Sequence, residues 1–304
     1  MSIVDLHIHT TASDGILSPE DVVAKAIKLS LTAIAISDHD EIKGIAPAVR
    51  AGKKYGLEII PAIELSSYWV SRDRKEFHIL GYFIDVKNPV LLENLARFGV
   101  ERRRRAKEML KLLANFGYAS SWQSVKEIAR GVIGQPHIAR VVLASPLNHK
   151  LLLKNFGKIP NVNEFIKEYL IRGKPCHVGK AGLEPKEAID LIHRASGVAV
   201  LAHPGFGIEP GDEETIKVFK GWGIDGLEAL APIETKEKTR VCSEYFTKAA
   251  RENGLLITGG SDYHGLDGVG AGLGLLEWGQ TIDGKILEDL KAFHEKTVAL
   301  RKIC

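Results

Sequence analysis

Five short apolar runs in this chain lead directly into histidine or a carboxylate. IVDL (3–6) runs into His7 and His9, and TAIAIS (32–37) into Asp38 and His39. LEIIPAIEL (57–65) carries Glu64, GVAVLAHP (197–204) carries His203, and LLITGG (255–260) is followed by Asp262 and His264. Short apolar runs bounded by turn residues read as buried strands. A fold that fits them must bring many strand ends to one place. In a β/α barrel parallel strands share a direction, so their C-terminal ends converge on one face.

The segments between the runs agree with that architecture. Ser18 and Pro19 form an N-cap and first-turn pair that opens the amphipathic stretch PEDVVAKAIKLS. A further helix is expected over about 44–55, and FHILGYFI (77–84) reads as another strand. Strand and helix resume after Pro185, with helices PKEAIDLIHRA and ETKEKTRVCSEYFTKAAREN and, ahead of the latter, the strand DGLEAL (225–230). Repeated strand–helix units imply a mostly parallel sheet or barrel, with seven candidate strands. Between them the pattern changes to helix after helix, beginning with NPVLLENLARFGVERRRRAKEMLKLLANFG. The expected organisation is a barrel domain over 1–100 and 182–304, with an all-helical insertion over 101–181 that covers the metal face as a lid.

A chain of 304 residues buries a full core without staples, so a metal site in it is there for chemistry. The three cysteines form no CxxC pair, and no apolar run approaches the roughly 20 residues of a membrane span. The N-terminus lacks the basic and apolar regions of a signal peptide. A soluble cytoplasmic protein with no obligate protein partner is expected. The formal charge of +3 suits an anionic substrate only weakly.

His7 and His9 are two apart on a strand and point to one side, so they can grip one metal; Asp262 and His264 repeat the spacing. Asp14 in its SDG turn and His78 in the fourth strand complete a set of nine candidate metal ligands: His7, His9, Asp14, His39, Glu64, His78, His203, Asp262 and His264. Singly, Asp14 reads equally as a turn residue and Asp38 as a helix cap. Together the residues are not explained by independent placement. Imidazole and carboxylate without thiolate suit Zn, Mn or Fe. Asp38 is a candidate for orienting a ligating imidazole from behind. For the substrate, His137 and Arg140 share a helical face at i, i+3. Arg102 and Arg103 belong to a run of four arginines that wraps the helix, so at most two of the run face one ligand. Tyr68, Trp69, Phe206 and Tyr263 are candidates for stacking a base or for the core.

DLHIHTTASDG (5–15), ISDHD (36–40), VLAHPG (200–205) and GGSDYHG (259–265) resemble the four motifs of the PHP (polymerase and histidinol phosphatase) superfamily. The resemblance implies a distorted seven-stranded β/α barrel with two or three divalent ions. It implies one ion on His7, His9, Glu64 and Asp262, a second on Glu64, His78 and His203, and a third on Asp14, His39 and His264. GQPHIAR (134–140) and RGKPCHV (172–178) are similar to the branch of nucleoside bisphosphate phosphatases and 5′→3′ exoribonucleases. The chain departs from that branch at Gln135 and at Phe206-Gly207, where arginine and Arg-Tyr are common.

The expected activity is hydrolysis of phosphate esters of nucleotides or short RNA or DNA ends by a metal-bridging hydroxide. Asp262, His264, Glu64 and His203 are expected to carry the chemistry. The alternatives are a phosphatase of a small metabolite such as histidinol phosphate, and a PHP module that binds a partner without catalysis.

Overall fold

The computed structural model describes residues 2–129, 131–179, 182–265, 272–275 and 280–301. Arg130, Lys180 and Ala181 of the 101–181 segment lie outside them. The chain divides into two compact units, 1–94 with 182–304, and 95–181.

The first unit is a nearly closed barrel. Its strands are β1 (Ile3–Ile8), β2 (Ala33–Ile36), β3 (Glu58–Trp69), β4 (Lys75–Tyr82), β5 (Val198–Leu201), β6 (Gly226–Leu230), β7 (Leu256–Gly259) and β8 (Ile282–Asp283), in the order β7-β6-β5-β4-β3-β2-β1-β8. Tyr263, just past β7, bridges to Ile8, and His9 N–H donates to its carbonyl at 2.9 Å. One edge of β1 is thereby shared, its first half with β8 and its second with Tyr263.

Seven strands coincide with the apolar runs. The eighth, β8, is a two-residue antiparallel addition that periodicity does not reveal. The expected parallel order is also broken, because β4 runs antiparallel to both β3 and β5. The physical reason is the connection. Five residues, 70–74, join β3 to β4, and a parallel crossover needs about a dozen or more. The reversal has a functional result. Ser66 near the end of β3 pairs with His78 near the start of β4, so His78 sits at the same end as the C-termini of the parallel strands.

Alternate residues of neighbouring strands form one apolar cluster: Val4 and Leu6, Ala33 and Ala35, Ile60 and Ala62, Leu80 and Tyr82, Val198 and Val200. Leu287 and Leu290 of the last helix pack on it. Glu64 and His78 continue the same faces of β3 and β4 at two-residue spacing. His7 and His9 have the opposite parity to Val4 and Leu6. An extra residue in β1 between Asp5 and Ile8 resets the alternation and turns both imidazoles to that face.

Helix α1 (Pro19–Lys28) starts as its sequence dictates, with Ser18 accepting from the Asp21 N–H at 3.1 Å. Helices α2 (Ile45–Tyr55) and α3 (Pro89–Asn115) follow, and the division between the units falls within α3. The second unit holds α4 (Trp122–Ile128), α5 (Gln135–Ala144), α6 (His149–Phe156) and α7 (Val162–Tyr169). Its own core contains Met109, Leu113, Tyr118, Val125, Ile138, Val142, Leu152, Phe165 and Cys176. Asn155 donates to the hydroxyls of Tyr118 and Tyr169 at 3.1 and 3.0 Å, which satisfies polar groups at the edge of that core. The first unit continues with α8 (Pro185–Arg194), α9 (Glu213–Gly221), α10 (Lys236–Asn253) and α11 (Lys285–Arg301).

Candidate metal centre

Glu64 is the hub of the strand-end cluster. Its Oε2 lies 2.9 Å from His39 Nδ1 and 3.2 Å from the Nε2 atoms of His7 and His9. Its Oε1 lies 2.9 Å from His78 Nδ1 and 3.0 Å from His203 Nε2. Asp262 Oδ1 lies 3.1 Å from His9 Nε2 and 3.4 Å from His7 Nε2. Asp14 Oδ1 stands 3.4 Å from His264 Nε2 and 3.9 Å from His9 Nδ1. All nine ligand candidates are therefore in one cluster. Three groups in it have donor atoms close enough to hold a cation: His7, His9, Glu64 and Asp262; His9, Asp14, His39 and His264; and His39, Glu64 and His78.

The outer partners of the rings show which nitrogens face inward with a lone pair. His7 Nδ1 lies 3.0 and 3.1 Å from the two oxygens of Glu228. An ionised carboxylate only accepts, so Nδ1 carries the hydrogen and Nε2 presents its lone pair to Glu64 and Asp262. His264 Nδ1 meets the Asp262 carbonyl at 2.8 Å, which turns its Nε2 lone pair towards Asp14. His78 Nε2 meets Glu76 at 3.3 Å, leaving Nδ1 towards Glu64. Lone pairs on nitrogen thus face lone pairs on oxygen. His39 Nδ1, His78 Nδ1 and Glu64 Oε2 are buried without a hydrogen bond of workable geometry. A divalent cation relieves that conflict, so the donor set fits the metals expected from it.

Without a cation the balance is made with protons. Burial opposes charge on His9 and His78, but the carboxylates beside them, Asp262 and Glu64 for His9 and Glu64 and Glu76 for His78, raise both to about 10. Burial and the neighbouring His9 lower His39 to about 4, against the pull of Glu64. Despite burial, the surrounding imidazoles hold Glu64, Asp14 and Asp262 well below the usual carboxylate range.

Two members sit on unusual backbone. His203 has φ 26° and Asp262 φ 52°, conformations that cost a non-glycine residue about 1–3 kcal/mol each. Surrounding structure enforces them. The His203 N–H donates to Glu228 at 2.8 Å, and Asp5 accepts from the Ser261 N–H at 2.9 Å and from its hydroxyl.

Sequence reasoning passed over Glu228 and Asp5. The signals were an acid inside the apolar run GLEAL and an acid two residues ahead of His7. Asp38 reaches towards an imidazole through a hydroxyl. It accepts from Thr10 N–H at 2.7 Å and from Ser13 Oγ at 2.6 Å, and Ser13 stands 3.5 Å from His9 Nδ1. His137 is buried, and its Nδ1 accepts from the Gly134 N–H at 3.1 Å, which caps α5. Arg102 is buried, Arg103 is exposed and Arg140 is half-buried. Of the stacking candidates, Trp69 is packed among Phe77, Phe219 and Trp222, and Tyr263 is buried with its hydroxyl 2.7 Å from Lys25 Nζ. Tyr68 is half-buried and donates to Glu76. Phe206 is 52% exposed and lines a cleft of about 380 Å³ with His39, His78, His203 and Asp262.

A nearly closed barrel with imidazoles and carboxylates gathered at one end of its strands defines a metal-binding α/β barrel protein. The chain belongs to the PHP domain family, whose model matches residues 5–182. It is 33% identical to a 5′-3′ exoribonuclease of Haemophilus influenzae, covering 86% of this chain and 89% of that one. It is 29% identical to a 3′,5′-nucleoside bisphosphate phosphatase of Chromobacterium violaceum, covering 87% and 88%. A solved structure from Bifidobacterium adolescentis, assigned as a metal-dependent phosphoesterase, superposes with a TM-score of 0.79 at 25% identity and covers 96% of both chains. No helix among the described residues is long and apolar enough to cross a membrane.

Proposed function

We propose that the chain hydrolyses phosphate esters of nucleotides: 5′-mononucleotides, 3′,5′-bisphosphates or short oligonucleotides. The observation that carries this reading is the inward conflict of lone pairs around Glu64, opening on a cleft with an exposed aromatic wall. The names of the similar exoribonuclease and bisphosphate phosphatase support it.

His7, His9, Glu64 and Asp262 would hold one ion, Glu64 with His78 and His203 a second, and Asp14, His39 and His264 a third. Divalent ions so held lower the pKa of water and clamp the oxygens of a transferring phosphoryl group. The protein's part is to fix the donors. Glu228 and Glu76 set the hydrogen positions of His7 and His78, and Ser261 and Asp5 fix the turn that carries Asp262. Phe206 offers its ring to a nucleobase at the cleft wall, where stacking tolerates any base. We assign Arg140 and Arg103 to phosphate contacts, since guanidinium forms paired, charge-assisted bonds with phosphate.

The test is phosphate release from 5′-mononucleotides, 3′,5′-bisphosphates, short RNA and histidinol phosphate, each with Mn²⁺, Zn²⁺ and Fe²⁺. A nucleotide substrate is expected to lead. Preference for histidinol phosphate would make the chain a metabolite phosphatase. Bound metal with no release from any ester would make it a binding module.

A further inference from the structure

The charge of this chain is divided sharply between its two units. Residues 95–181 hold 17 Lys and Arg against 5 Asp and Glu, a formal +12, so the rest of the chain carries −9 of the total +3. A near-neutral total hides this. An excess so large on 87 residues repels itself, and it suits a polyanionic partner.

The positive charge is also ordered. At 100° per residue, Arg97, Arg103, Arg104, Lys107 and Lys111 fall within about 120° of the circumference of α3. All five are exposed, and Ala106, Met109 and Leu113 occupy the opposite, buried face. The stripe runs about 21 Å along the axis. Arg104 is engaged by Glu101 and Glu108, so it holds the helix and adds little to the stripe. Lys107 Nζ stands 5.0 Å over the ring of Trp122, which is half-buried, and Lys126 follows one turn further along α4 and is exposed. Cations in a row beside an indole are the two elements that bind single strands without reading sequence: charge follows the backbone, and the aromatic ring stacks a base.

We infer that the helical unit binds single-stranded nucleic acid through the α3 stripe and Trp122. The inference rests on the nucleotide-directed reading of the barrel and deepens it, from hydrolysis of nucleotides to engagement of a strand by a second surface. The phosphates make ion pairs with Arg97, Arg103, Lys107 and Lys111, releasing counterions, so affinity falls steeply with salt. RNA and DNA are both expected to bind, because phosphates and base faces are common to the two.

The experiment uses the full chain carrying Asp262→Asn, so that the strand is not consumed. Binding of short labelled RNA and DNA single strands is read by fluorescence anisotropy between about 50 and 200 mM salt. Each lost phosphate contact should flatten the log–log salt slope by about 0.7. Adding Arg97→Gln, Lys107→Gln and Lys111→Gln together should weaken binding at least about tenfold and flatten the slope by about 2. Trp122→Ala should weaken binding about tenfold and leave the slope in place. With Asp262 intact, the triple variant should release phosphate from a mononucleotide at the unaltered rate, and circular dichroism should show the helices retained. Unchanged strand affinity in the triple variant, or binding indifferent to salt, overturns the inference. So does stripe-dependent binding that is tighter to phosphatidylserine vesicles than to either strand. Strand binding is read without hydrolysis, so failure of nucleotide turnover in the wild type would overturn the barrel's proposed activity separately.

Discussion

Glu228 meets His7 at Nδ1, 3.0 Å away, and thereby aims the other ring nitrogen of His7 at Glu64, 3.2 Å away. A buried carboxylate on β6 thus governs a ring on β1, and it also receives the backbone N–H of His203. Glu228→Gln keeps the shape but removes the charge and allows the wrong tautomer. Metal affinity should fall about 10–100-fold, measured by competition with a chelator of known affinity. An unaltered affinity would reduce Glu228 to a packing residue.

Asp262→Asn and His9→Ala remove donors from the centre and leave the apolar cluster of the barrel untouched. Phosphoesterase activity should drop by orders of magnitude while the far-ultraviolet spectrum and the cooperative melt persist. Chelation should likewise abolish activity before it unfolds the chain. Simultaneous loss of fold and activity on chelation would show that the metals hold the barrel together.

Arg140→Ala separates two roles when assayed on a nucleotide and on p-nitrophenyl phosphate. A guanidinium that holds a second phosphate or the nucleoside should matter for the nucleotide and little for the small ester. Equal loss on both would place it on the scissile phosphate or in the packing of α5. Its neighbour His137 has a defined structural duty already. His137→Ala should cost about 1 kcal/mol through loss of the cap on α5, read from urea unfolding.

Burial pushes the Cys176 thiol up to about 11. The unfolded thiol titrates near 8.5, so between the two values the unfolded state loses its proton first. The stabilisation is complete below about pH 8.5 and is lost as pH rises towards 11. Cys176→Ala should flatten the alkaline limb of the stability profile, after allowance for its lost volume. The native thiol should also resist iodoacetamide at pH 8 and react on unfolding.

The convergence of nine side chains was legible because strand-terminal spacing carries direction as well as position. His7 and His9, and again Asp262 and His264, announce it by alternation alone. The direction of β4 was not legible from its apolar pattern, which is the same in either sense; only the five-residue link 70–74 decides it. The bulge in β1 was equally silent, since an extra residue changes register without changing composition. Glu228 was hidden because a buried acid in an apolar run declares its partner only in three dimensions. His137 looked like a ligand for substrate, and its nearest duty is to a backbone N–H three residues away.

The left-handed backbone at His203 and Asp262 means that the centre is built at the expense of the scaffold. Glycine at either position would relieve the torsional cost of about 1–3 kcal/mol, although at Asp262 it would also remove a carboxylate that the imidazoles of His7, His9 and His264 favour in the folded chain. His203→Gly, which leaves every carboxylate of the cluster in place, should therefore leave a metal-free chain that melts at or above the wild type's temperature while losing activity towards esters. Selection for thermal robustness alone would drift towards such dead variants, so the residue at 203 is held in place by what the protein does and against what its fold would prefer.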